Sequence, residues 1–248
     1  MDTGAYIGWK QWHSEQFAAV APGTRFYFDQ IFGRRPGKMG KVLEIGYGNG
    51  ALLGYLRARG HAVVGVEINE PLVTRANECG YTAYQGAAWS IAELQPQHFD
   101  LIVAFDVAEH MSYEELRIFF AWARDHLNEG GKLYLRFPEG ASPFGLANQN
   151  GDFTHVTSLS LPKIEALCAG SRTELVSYSD DVLSSNKLCA FGPVGKLILL
   201  LLQGYAAALK GLLKLILYPL TTSLRLGTNS IAVITARKAV DEEQTGRS

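Results

Sequence analysis

Two carboxylates and three glycines, Glu44, Gly46, Gly48, Gly50 and Glu67, stand where they could hold a nucleoside. The string VLEIGYGNG, residues 42–50, joins a short apolar run to glycines at alternate positions, which let a backbone turn sharply before a helix. Glu67 ends the next apolar run, about 20 residues after the first glycine, where a carboxylate accepts hydrogen bonds from both ribose hydroxyls. A third group, Asp106, Glu109 and His110, follows the run FDLIVAF. Ligands of open parallel sheets bind at the carboxyl ends of strands, so these side chains are expected at a pocket.

The elements that must position these groups alternate. Val42 to Ile45 reads as a strand buried on both faces, followed by a helix from about Ala51 to Arg59 that Gly60 closes. His61 to Val66 is a second strand, Asn69 to Cys79 a helix with Pro71 in its first turn, and Tyr81 to Gln85 a short third strand. Phe99 to Phe105 is the fourth strand, Tyr113 to Leu127 a helix ended by Asn128–Gly131, and Lys132 to Phe137 the fifth strand. Residues 138–152 then read as a long loop over the carboxyl edge, 160–169 as a helix, and Leu175 to Tyr178 and Ser230 to Ala236 as the last strands. This alternation predicts an α/β fold with one parallel-type sheet. Residues 1–40, dense in aromatics that include Trp9, Trp12, Phe26, Tyr27 and Phe28, read as a helical cap. Residues 41–239 form the main domain with an insert at 179–229, and 240–248 a disordered polar tail.

Two ligands suit the glycine turn. A dinucleotide fits because Gly46, Gly48 and Ala51 satisfy GxGxxA. S-adenosylmethionine, a nucleoside without phosphate, fits better, because Glu44 would repel a pyrophosphate but attract an ammonium group directly or through water. The string E-x-G-x-G-x-G with its acidic second strand tip resembles the first two motifs of class I S-adenosylmethionine-dependent methyltransferases, and FDLIVAFDVAEHM resembles their D-V-x-E-H segment. FPEGASPF followed by GDFTHV and a helix is similar to a loop of bacterial methyltransferases from polysaccharide and exopolysaccharide gene clusters.

The resemblance implies a seven-stranded sheet of order 3-2-1-4-5-7-6 with the seventh strand antiparallel. It implies that Glu44, Gly46, Gly48, Gly50, Glu67, Ile68, Asp106 and Val107 hold S-adenosylmethionine. After the third strand the family usually has an acidic residue for the adenine amino group; here Ala87 and Ala88 would serve through their backbone, with Trp89 beside the ring. On the acceptor side the resemblance implies Glu109, His110, Glu139, Asp152 and His155, with His155 as a base that Asp152 orients and Asp106 near the reacting groups. The plainer alternative is that Asp152 and Thr154 cap a loop–helix junction and His155 packs there.

The composition narrows the partners. A net charge of −1, from 23 basic and 24 acidic side chains among 248 residues, offers no global field for nucleic acid. Cys79, Cys168 and Cys189 lie in no metal-binding or disulfide pattern, so a reduced cytoplasmic thiol set and no metal site are expected. No basic-then-apolar export signal opens the chain.

The insert carries an apolar segment, 194–220, whose Lys196, Gln203, Lys210 and Lys214 fall on one stripe of a helix. It suits peripheral contact with the inner face of the cytoplasmic membrane, a buried cap or homodimer face, or a membrane span. The acceptor expected from loop and insert together is a hydroxyl or amine of a glycan or lipid-linked saccharide. A lipophilic small molecule such as a quinone precursor is the alternative, and an NAD-dependent oxidoreductase or a non-catalytic binding module are readings from other classes.

Overall fold

The computed structural model describes residues 17–33, 40–181, 186–217 and 225–237. Trp9, Trp12 and the tail from 240 onward lie outside those residues. Helix α1 (Pro22–Phe32) precedes β1 (Lys41–Ile45), α2 (Ala51–Arg57), β2 (Ala62–Glu67), α3 (Glu70–Glu78), β3 (Thr82–Gln85) and β4 (Phe99–Phe105). Then follow α4 (Tyr113–His126), β5 (Leu127–Pro138), α5 (Leu146–Asn150), α6 (Leu161–Ser171), β6 (Thr173–Asp180), α7 (Asn186–Ala190), α8 (Gly192–Leu217) and β7 (Asn229–Ala236). The strands form one seven-stranded sheet of order β3-β2-β1-β4-β5-β7-β6, with β7 antiparallel to both neighbours, as the family resemblance implies.

Short apolar strands become central because both of their faces are covered. Val42 pairs in parallel with Val63 on one side and Leu101 on the other. One sheet face packs on α4 and α6 through Phe99, Phe119, Phe120, Leu133, Phe137 and Ile164, all fully buried. The other packs on α1 and α2 through Tyr27, Phe28, Val42, Leu52 and Tyr55. The N-terminal aromatics that are described thus serve the core, where burying each ring contributes on the order of 2–3 kcal/mol. Phe17 extends this packing, standing edge-on to Tyr47 at 6.1 Å and Tyr81 at 5.8 Å.

Helix α4 starts at a reciprocal cap: the Ser112 hydroxyl accepts from Glu115 N at 3.3 Å, and Glu115 Oε2 accepts from Ser112 N at 2.8 Å. Two boundaries differ from the sequence reading. The Asn128–Gly131 segment is not a turn before the fifth strand but a bulge inside it, since Phe99 pairs with Leu127 while Leu101 pairs with Lys132. Gly130 takes φ +73° there, and a Cβ at Gly131 would press the Asn128 and Phe99 carbonyls, so the glycines admit the extra residues without breaking the ladder. The loop after β5 is also less irregular than expected, because α5 forms within it and Glu139 bridges Leu159.

The apolar insert forms α8, which is long and apolar enough over Gly192–Leu213 to cross a bilayer and has almost none of that length buried. Lys196 and Lys210 of its polar stripe face the domain. Lys210 Nζ is 2.8 Å from Asp180 Oδ2 at the end of β6, Lys196 lies over the Phe26 ring, and Leu199 packs on Phe26 and Cys189. Leu197, Leu201, Tyr205, Leu212, Leu215 and Ile216 point outward. Among the described residues nothing covers this outward face.

Candidate active site

A cavity of about 470 Å³ opens at the carboxyl ends of β1, β2 and β4, walled by Gly46, Glu67, Ile68, Asn69, Gly86, Ala87, Ala88, Trp89, Asp106, Val107, His110, Met111 and Thr154. It falls within the range of roughly 300–1,000 Å³ common for small-ligand sites. The glycine turn makes its floor. Gly46, Gly48 and Gly50 all take positive φ, +68°, +52° and +73°, and a Cβ at Gly46 would run into Val107.

Where the amides of that turn point decides the ligand. Gly46 N donates to Val66 O at 2.7 Å, Gly50 N to Tyr47 O at 2.8 Å, and Gly48 N to Glu67 Oε2 at 3.2 Å. These three donors are engaged within the protein, which weakens the turn as a nest for a pyrophosphate. Glu67 is buried and fixed: its Oε1 accepts from Ile68 N at 2.9 Å, Asn69 N at 3.1 Å and Asn69 Nδ2 at 2.8 Å. Oε2 accepts only from Gly48 N and keeps a free lone pair, and Glu67 borders the cavity where a ribose hydroxyl could donate to it.

Glu44 lies behind the turn rather than in the cavity lining. It accepts from the Leu53 amide at the start of α2, its Oε2 is buried without a hydrogen-bond partner, and burial followed by the charge of Glu67 raises its carboxyl well above the ordinary range. Burial, then Glu67 and Glu44, push the Tyr47 hydroxyl upward as well. Two acidic groups beneath one turn, one with an orphaned oxygen, suit a ligand with a cation beside its nucleoside. They do not suit a polyphosphate.

Asp106 is held differently from the sequence expectation. Its backbone has φ +56°, which aims Val107 at the glycine turn. Its carboxylate takes a fork from Arg136, Nε to Oδ1 at 3.0 Å and Nη2 to Oδ2. Arg136 Nη1 also donates to the Tyr27 hydroxyl at 2.8 Å, which donates to Asp181 Oδ1 at 2.9 Å. Burial alone would lower the Arg136 pKa, yet Asp106 and Tyr27 drive it upward, so the guanidinium stays charged and holds Asp106 in an ion pair. A lone arginine inside KLYLRF was the signal for this pair; sequence reasoning passed over it, and over Asn69.

On the acceptor side, His110 reaches the cavity wall while His155 stands behind it, their rings 4.6 Å apart edge to face. His155 Nδ1 is 3.0 Å from Gln149 O, and its Nε2 is 3.8 Å from Asp152 Oδ2 and 3.9 Å from Glu109 Oε1. Asp152 Oδ1 accepts from Thr154 N at 2.9 Å and Thr154 Oγ1 at 2.5 Å, a local turn within the loop; the helix starts later, at Leu161 behind Ser160, so this pair does not cap it. Glu139 is not among the cavity residues. Tyr178 OH at 2.5 Å, Ser230 Oγ at 2.6 Å and Ala141 N at 3.0 Å occupy its carboxylate, which ties the loop after β5 to β6 and β7.

The sheet order, the glycine turn and the two acidic strand tips define a class I methyltransferase fold. A family model described as "Methyltransferase domain" matches residues 12–175, and the chain belongs to this family. Its cofactor is S-adenosylmethionine, which the internally satisfied turn and the Glu44–Glu67 pair fit. Among solved structures, the fold is similar to a SAM-dependent methyltransferase from Archaeoglobus fulgidus, with TM-score 0.55 at 16% identity over 84% of this chain and 90% of the other. It is similar to a TehB-like SAM-dependent methyltransferase from Corynebacterium glutamicum, with TM-score 0.55 at 14% identity over 95% and 98%. The CcbJ methyltransferase from Streptomyces caelestis gives TM-score 0.56 at 12% identity over 88% and 89%. Comparison with curated protein sequences gives no match.

Proposed function

We propose that the enzyme methylates a hydroxyl or amine of a glycan carried on a lipid, at a membrane surface on the cytoplasmic side. The observation that carries this reading is the apolar ground around the cavity mouth. Phe153 is 99% exposed beside the cavity-lining Thr154, Ile68 in the cavity wall is exposed, and Phe144, Leu146 and Val156 are exposed in the same stretch of chain as Phe153. The outward face of α8 is anchored through Lys210 to Asp180, at the same carboxyl edge of the sheet. Exposed apolar surface of this extent calls for a lipid or a partner.

When bound, S-adenosylmethionine supplies an electrophilic methyl group on a sulfonium. In this reading Glu67 accepts a ribose hydroxyl, Ala87 and Ala88 hold adenine through their backbone beside Trp89, and Glu44 acts on the ammonium through its charge from behind the turn. Val107, pressed on Gly46 by the backbone at Asp106, limits how deep the ligand sits. The acceptor enters past Phe153 and Thr154, and its proton leaves toward the group of Glu109, His110, Asp152 and His155, of which His110 is the member that lines the cavity. Positioning contributes much of the acceleration.

The test is release of S-adenosylhomocysteine with three acceptors: a lipid-linked saccharide in vesicles, the same saccharide free, and a quinone-like phenol in detergent. Turnover with the first, at least tenfold above the second, is expected. Turnover with the phenol alone would replace the glycan reading by the lipophilic small-molecule one. A dimer that pairs its α8 faces in solution and ignores vesicles would overturn the membrane part.

A further inference from the structure

The group behind the cavity wall has the composition of a metal site. Glu109, His110 and His155 each present a ligand atom, and these atoms all lie within 4.8 Å of one another. Asp152 Oδ2 is 3.8 Å from His155 Nε2. Two imidazoles with one or two carboxylates suit first-row divalent cations such as Zn²⁺, Mn²⁺ and Co²⁺.

Three observations point beyond coincidence. His155 is oriented as metal-bound imidazoles are: with Nδ1–H donated to the Gln149 carbonyl at 3.0 Å, the Nε2 lone pair is directed to the side where both carboxylates stand. The Nε2 separations of 3.8 and 3.9 Å are too long for hydrogen bonds, yet metal bonds of about 2.0–2.2 Å allow two ligand atoms to stand as much as ~4 Å apart across one ion. Glu109 is 1% exposed, and a carboxylate held out of water against two imidazoles suits a cation shared among them. The ligands are also cross-braced. The Glu109 carbonyl accepts from Val156 N at 2.9 Å and Thr157 N at 3.0 Å, and His110 Nδ1 meets Thr154 O at 3.2 Å and Thr154 Oγ1 at 2.9 Å.

We propose that Glu109, His110 and His155 bind one divalent first-row metal ion beside the acceptor end of the cavity, with Asp152 next to His155. Its place next to the acceptor rests on the proposed function; the binding itself does not. His110 spans both environments, so the ion would lie between the buried carboxylates and an acceptor oxygen. Sequence spacing did not show this set, because His155 is distant in the chain and Glu109-His110 alone has no diagnostic pattern.

The experiment is titration of the chelator-treated full chain with Co²⁺, followed by visible absorption and by proton NMR. One equivalent per chain is expected, with two exchangeable, paramagnetically shifted imidazole N–H resonances that read both histidines without any variant. His110→Ala and His155→Ala should each weaken Co²⁺ binding at least tenfold while calorimetry still detects S-adenosylhomocysteine binding. No Co²⁺ binding by the parent chain would overturn the site whatever the cofactor result. So would thiolate-to-cobalt charge-transfer absorption, which would place the ion on cysteines, or undiminished binding when both histidines are replaced. Failure to bind S-adenosylhomocysteine with Co²⁺ binding intact would strike the cofactor reading and support the metal site.

Discussion

Glu67 shows how one side chain serves both structure and ligand. Its oxygens brace Gly48, Ile68 and Asn69 and still border the cavity. Glu67→Gln retains the shape but loses charge-assisted acceptance from a ribose hydroxyl, worth about 1.5–3 kcal/mol. Calorimetry should therefore show S-adenosylmethionine binding weakened by roughly ten- to a hundredfold; an unchanged affinity would remove Glu67 from the cofactor site. Glu44 makes a prediction with a definite sign. Burial, then Glu67, raises its folded-state pKa above the unfolded one, so the folded chain binds the proton more tightly. That contribution is fully present below the ordinary carboxylate range and is lost as pH rises through the raised folded value. Glu44→Gln mimics the neutral form, so its Tm advantage over the parent, both without cofactor, should widen as pH rises from about 5 to about 8. A cationic ligand pulls the carboxyl back down, so cofactor binding to the parent should release a proton, visible as buffer-dependent heat that the Gln variant lacks. A pH-independent Tm difference would show that Glu44 does not titrate in that window.

At the scale of elements, α4 joins core to cavity. Its Ser112–Glu115 cap directly follows Met111 in the cavity wall, and Phe119 and Phe120 fill the core below. Ser112→Ala should cost about 1 kcal/mol, the usual value of an N-cap. For a chain of this size that is a fall of about 2–4 °C in Tm, which scanning calorimetry would read. The strands were legible because buried parallel strands are continuous apolar runs; β4 matches its expected span, and β1, β2 and β3 come within a residue. Less legible were β5, where a glycine-rich string that reads as a turn is absorbed as a bulge, and α5, too short to impose a period on the loop. The apolar period of α8 was plain, but which face meets the domain was not. That follows from Asp180 and Phe26, which receive the lysines and so turn the apolar face outward.

The whole molecule therefore presents a methyltransferase domain with one long apolar helix face on the cavity's edge of the sheet. Replacing Leu201, Leu212 and Leu215, all exposed, by Gln should release the chain from anionic vesicles in a flotation assay. The Tm should stay within a degree or two, since substitutions at exposed positions cost little. Retained flotation would move the membrane contact elsewhere; Leu199 is unsuited to this test because it is buried on Phe26 and Cys189. By itself the sequence determined the α/β alternation, the glycine turn and the acidic strand tips. Those rest on local apolar runs and on short spacings that steric and hydrogen-bonding rules read directly. Only the tertiary structure decided that Arg136 claims Asp106, that Glu139 serves the loop rather than the cavity, and that His155 stands behind His110 against Glu109 and Asp152. Such meetings depend on strand register and loop closure, which bring distant residues within a few ångströms and leave no period in the chain.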